Sequence, residues 1–213
     1  MVKLDNVTEG VLDVINDNKF SQTGAFNLRE NGTSICHGDS EHIKIKKKTD
    51  KPGIDIYIDG KTDGEAVYIP VVLSKSGMTD LVYNDFYVED GADVRIVAGC
   101  GIHNSGCNES RHDGIHTFHV GKNANVRYEE KHYGEGNGTG ARVLNPVTNI
   151  FVGENSVFTL DTAQIKGVDS TVRETNVELG KNAKLYVTER LMTDGAQKAE
   201  SNIEVQLNGE DSS

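Results

Sequence analysis

The chain has 213 residues, 33 of them acidic and 22 basic, for a formal net charge of −11. That balance argues against nonspecific nucleic-acid binding and against docking on an anionic membrane, both of which need basic faces. Apolar residues make up only 36%, with 23 Gly, 3 Pro and no Trp, a profile too rich in turns for a helical protein and too aliphatic for a disordered one.

Residues 1–40 read as a lead-in. The segment Met1–Asn6 has no apolar core, so no signal peptide is expected, and no run approaches the length of a membrane span. Three cysteines do not make a disulfide framework, which points to a cytoplasmic protein with reduced thiols. The only helical pattern is short, over Gly10 to Asn16, with Val11, Leu12, Val14 and Ile15. Ala25-Phe26-Asn27-Leu28 then alternates into the turn Glu30-Asn31-Gly32, and Cys36-His37 reads as a surface pair.

From Glu41 the pattern becomes strand-like. Ile43/Ile45, Ile54/Ile56/Ile58 and Val67/Ile69/Val71 alternate between Lys51-Pro52-Gly53 and Asp59-Gly60. The basic run Lys44-Ile45-Lys46-Lys47-Lys48 reads as the solvated side of an edge strand, where lysines discourage pairing with another chain.

A four-residue phrase then recurs: Gly91-Ala92-Asp93-Val94, Asn123-Ala124-Asn125-Val126, Asn155-Ser156-Val157-Phe158 and Asn182-Ala183-Lys184-Leu185. An apolar residue stands three places before each, at Val88, Val120, Val152 and Leu179. Units of this length cannot bury their own apolar face and must stack on copies of themselves. Strand, sharp Gly/Asn corner and strand predict an all-β parallel solenoid over residues 41–213. Asn suits the corner because it tolerates left-handed backbone.

Two stretches interrupt the pattern: Gly99–Gly114 and the glycine-rich Gly134–Gly140. The second reads as a flexible corner, since no Gly-Lys-Ser/Thr follows it. At the far end, Ile203-Glu204-Val205-Gln206-Leu207 reads as the first strand of a further coil.

The first interruption and the residues just after it carry the densest chemistry, with Cys100, His103, Cys107, His112, Asp113, His116 and His119 within twenty residues. Thiolates and imidazoles suit zinc or iron. Cys100 and His112 are the leading ligand candidates, and His103 and Cys107 rank below them. Lys131 and His132, at the end of the second clear coil, are secondary candidates for the same side as Cys100. Carboxylate pairs such as Glu129-Glu130 single out nothing in so acidic a chain. No Gly-x-Ser-x-Gly elbow and no His-Glu-x-x-His is present.

Several ordered blocks, Ala98–Asn104, Ser110–His116, Val120–Ala124, Glu130–Gly136 and Glu189–Met192, resemble the SufB/SufD family, most closely its shorter SufB-like members. The resemblance covers roughly residues 20–213. It implies a right-handed parallel β-helix that serves as a scaffold for transient iron–sulfur clusters beside a SufC-like ABC ATPase. ATP would be hydrolysed by that partner, with no nucleotide bound by this chain and no turnover chemistry of its own. The resemblance further implies pairing with itself or a SufD-like homologue, and sulfur supplied by a cysteine desulfurase or sulfur carrier. It assigns Cys100 to sulfur transfer or cluster formation and places His112 where many members have a histidine re-entering the next coil. The family pattern runs on through further coils, with a second cysteine and ATPase-gripping helices, so the β-helix here reads as C-terminally incomplete. Two other readings stay open: a carbohydrate-binding or carbohydrate-active β-helix, disfavoured by the lack of Trp, and a zinc hydrolase using His112, His116 and His119. Strand parity turns His119 away from the other two.

Overall fold

Period-two alternation folds most of this chain into strands. The computed structural model describes residues 2–213. After one helix, α1 (Asn6–Ile15), come β1 (Ala25–Glu30), β2 (Thr33–Gly38), β3 (Ile43–Lys47), β4 (Gly53–Ile58), β5 (Asp63–Leu73), β6 (Thr79–Val88), β7 (Asp93–His103) and β8 (Ser110–Val120). They are followed by β9 (Asn125–Glu135), β10 (Arg142–Leu144), β11 (Val147–Val152), β12 (Val157–Gln164), β13 (Ser170–Leu179), β14 (Lys184–Leu191) and β15 (Lys198–Leu207). One sheet has the order β14-β12-β9-β7-β5-β1-β2; the other has β10-β13-β11-β8-β6-β4-β3, with β15 on β13. The chain passes from a strand of the second sheet round a corner into a strand of the first, then on to the next coil. The result is the β-helix expected from the repeats, a solenoid of about five coils with parallel sheets. No helix among the described residues is long and apolar enough to cross a membrane.

The recurring phrase is the corner. Gly91, Asn123, Asn155 and Asn182 sit there at φ of 81°, 54°, 58° and 53°, the left-handed region that Gly and Asn enter most cheaply. Asn182 Nδ2 also donates to Asn155 Oδ1 of the coil below at 3.0 Å. Behind the corners, Val88, Val120, Val152 and Leu179 stack in register. Phe86 lies on Phe118 at 4.3 Å between ring centroids, and Phe118 packs against Tyr128 and Phe158. Each such ring contributes on the order of 2–3 kcal/mol when removed from water. A smaller apolar group, including Leu73, Cys100, Ile102, Leu144 and Val168, fills the other end of the interior.

Four expectations need correction. The solenoid begins inside the lead-in, because β1 pairs in parallel with β5. Helix α1 is longer than its apolar pattern: Asp5 accepts from the Thr8 amide at 2.8 Å and starts it before Gly10. Its Val11 and Ile15 lie against the outer face of β7, where Gly99 and Gly101 make room. A Cβ on Gly99 would stand 2.8 Å from Ile15 Cβ. The interruption Gly99–Gly114 is mostly strand, irregular only over 104–109. Its period was hidden because α1 demands Gly99 and Gly101 on the outer face of β7, while the inward row of β8 begins with Ser110, His112 and Gly114 rather than apolar residues. Last, the basic run is not uniformly solvated. Lys44, Lys46 and Lys47 are exposed, Lys47 on the same side of the strand as Ile43 and Ile45, but Lys48 bonds Asp55 and Asp85.

The strand expected at Ile203–Leu207 is the end of β15, paired with β13. On the outer face of the second sheet, Tyr57, Tyr87, His119 and Phe151 form a stacked ladder with centroid spacings of 5.1, 5.1 and 5.6 Å.

Candidate metal centre

Between the two apolar regions the interior is polar. On β7 the even-numbered side chains face inward, which places Cys100 inside at 3% exposure. Cys100 lies in register with His132 of β9, and His132 with Gln164 of β12. Glu130, two residues before His132, shares its side of the strand. One ligand atom from each of Cys100, Glu130 and His132 lies within 4.8 Å of the other two, and all three residues are buried. From the opposite sheet, His112 and His116 on β8 border the same hollow, with Gly114 between them. A Cβ on Gly114 would stand 2.9 Å from His116 Nε2 and 3.3 Å from His112 Nε2. The missing side chain is what lets both rings turn inward.

Two ion pairs flank the hollow. Arg29 of β1 forks onto Asp80 of β6 at 2.8 and 2.6 Å, and Asp80 Oδ2 lies 3.0 Å from His112 Nδ1. On the other side Arg173 of β13 bonds Glu130, and its Nε is 3.1 Å from Glu189 of β14. Tyr128 donates to Glu130 Oε1 at 3.0 Å.

These contacts set the protonation states. Burial would raise the Asp80 carboxyl, but Arg29 and His112 outweigh it and hold the group well below the usual carboxylate range. The same contest, with Arg173 and His132 opposing burial, keeps Glu130 ionised. Burial lowers His116 to about 4, with Glu130 opposing it only in part. His132 is lowered by burial as well. The Cys100 thiol is pushed well up, by burial first and then by the Glu130 and Asp80 charges. At neutral pH the hollow therefore holds a carboxylate, neutral His116 and His132, and a thiol.

Buried polar atoms normally find partners, yet here four imidazole nitrogens have none: His112 Nε2, His116 Nδ1, His116 Nε2 and His132 Nδ1. A sulfur, a carboxylate oxygen and imidazole nitrogens converging in this way make a donor set for a borderline transition ion such as zinc or ferrous iron.

No family model, no curated protein and no solved structure matches this chain. Assignment rests on the site itself.

Of the sequence candidates, the structure brings together Cys100, His112 and His132. It separates the others. His103, also on β7 but of opposite parity, faces outward, its Nδ1 3.0 Å from Glu135. Cys107 is exposed in the loop after β7. Lys131 projects outward to Asp17, just after α1. Cys100 itself is buried, since it faces the interior and α1 covers the outer face of β7. His119 stands on the outer ladder, so His112, His116 and His119 do not converge as the hydrolase reading needs. Sequence reasoning missed Glu130, Asp80 and Arg173. The repeat held a usable signal: Asp80 and His112, Ala98 and Glu130, Cys100 and His132 are each one repeat apart and in register.

Proposed function

We propose that this chain is a non-catalytic scaffold subunit for iron–sulfur cluster assembly, with Cys100, Glu130 and His132 as the first docking point for the cargo. The carrying observation is the convergence of those three donors within 4.8 Å beside unpartnered imidazole nitrogens. The resemblance of the blocks around Cys100, His112 and His132 to SufB-like proteins points the same way. The three free cysteines suit a reducing cytoplasm.

Burial defines how such a site would work. The Cys100 proton must leave as iron arrives, so loading releases a proton and weakens in acid. The closed hollow suits one ion, and a whole cluster requires the two sheets to part near Leu144 and Pro146, which border it. A SufC-like ABC ATPase, as implied by the resemblance, is the class of partner that does such mechanical work. A second copy or a SufD-like subunit, and a cysteine desulfurase or sulfur carrier, complete the proposed assembly.

The test is anaerobic reconstitution with ferrous iron and sulfide. Wild type and Cys107→Ser are expected to develop equal cluster absorbance, with Cys100→Ser and His132→Ala losing most of it. Equal absorbance in all four removes the site from the proposal. A second reading is favoured by the closed hollow: a single structural zinc on the same donors. Stoichiometric zinc surviving aerobic purification would select it; labile iron kept only without oxygen would select the scaffold.

A further inference from the structure

At the N-terminal end of the solenoid the hairpins β1–β2 and β3–β4 flank a cleft of ≈ 560 Å³. That is a common size for a small-molecule site. Its floor is apolar, from Ile45, Ile54 and Val82. Its polar groups come from separate strands and are short of partners. Asn84 is 5% exposed, and among the described residues nothing hydrogen-bonds its carboxamide. Asn27, 6% exposed, uses only its Oδ1, which accepts from Ser34 Oγ. Arg29 spends Nε and Nη2 on Asp80 and keeps Nη1. Lys47 is the one lysine of its run on the same side of the strand as Ile43 and Ile45, and it forms no ion pair among the described residues.

Carboxamide and guanidinium donors that border the cleft without a protein partner are free to pair with an acceptor supplied from outside. The donors outnumber the single carboxylate in the lining, Asp50. On a chain of net charge −11, this is an unusual place for an anion to be welcome. We propose that the cleft binds a small organic anion, its carboxylate or phosphate oxygens taken by Arg29, Lys47, Asn27 and Asn84 and its short apolar body resting on Ile45, Ile54 and Val82. The proposal is independent of the metal reading.

The test is a nuclear magnetic resonance titration of the full, isotope-labelled chain with succinate and with glycerol 3-phosphate, at constant ionic strength. Saturable shifts centred on Asn27, Ser34, Lys47 and Asn84 are expected. A response to one ligand alone selects the carboxylate or the phosphate ester. Lys47→Glu should weaken binding about tenfold by reversing a contacting charge, and Lys44→Glu, on the outer face of the same strand, should leave it unchanged. Absence of saturable shifts with both ligands overturns the proposal. So does equal weakening by the two variants, which would mark bulk electrostatics.

Discussion

His112 Nδ1 lies 3.0 Å from Asp80 Oδ2, a residue exactly one 32-position repeat before it. The stacking of coils thus builds a buried triad, Arg29–Asp80–His112, from three strands distant in sequence. Removing one member of a buried pair leaves the other charged and uncompensated. Asp80→Asn is therefore expected to cost about 3–5 kcal/mol, read as a fall in the urea midpoint with unchanged slope. A change below about 1 kcal/mol would mean that Arg29 finds water in the cleft beside it.

The corner asparagines make a second prediction. Ala at a left-handed position costs about 1–2 kcal/mol, whereas Gly occupies it without strain. Asn155→Ala should lose roughly that amount in chemical denaturation, and Asn155→Gly should stay within about 0.5 kcal/mol of wild type. Equal losses would shift the credit from backbone conformation to the Asn182–Asn155 side-chain bond.

How far the fold could be read ahead follows from these residues. The corners were legible because left-handed backbone favours a small set of residues, Gly and Asn above all. The apolar rows at Val88, Val120, Val152 and Leu179 were legible because interior stacking repeats them. The site was only partly so. Cys100 and His112 drew notice as residue types, but Glu130 was lost among the many carboxylates of an acidic chain. Gly99 and Gly101 looked like a loop because their reason lies in Val11 and Ile15, some 90 residues earlier. Single-residue chemistry hides in such a chain, and only the repeat register shows which residues meet.

Acid should act through His116. Its imidazole titrates near 6.5 when unfolded and at about 4 in the folded chain. The unfolded state then takes up a proton that the folded state refuses, so the contribution is complete above pH 6.5. It is lost as pH falls toward 4. The full difference corresponds to about 3 kcal/mol. His132, lowered in the same direction, adds to the slope. Unfolding midpoints measured across this range should decline in wild type and decline clearly less in His116→Gln. Parallel curves would mean that the folded site admits the proton.

The last prediction separates a metal centre from a purely structural network. Arg173 neutralises Glu130 deep in the interior, with both side chains almost wholly buried. Arg173→Met leaves that carboxylate unpaired and should cost about 3–5 kcal/mol. The double variant Arg173→Met, Glu130→Gln removes both charges and should recover much of the loss, since a buried pair exchanged for neutral groups is often nearly neutral. A divalent ion bound by Cys100, Glu130 and His132 supplies positive charge beside Glu130 where the guanidinium stood. Zinc should accordingly raise the melting temperature of Arg173→Met more than that of wild type, and should do little for the double variant, which lacks the Glu130 carboxylate. Zinc shifts that are absent or identical in all three proteins would mean that the ion does not reach Glu130, leaving Arg173 and Glu130 as a structural pair.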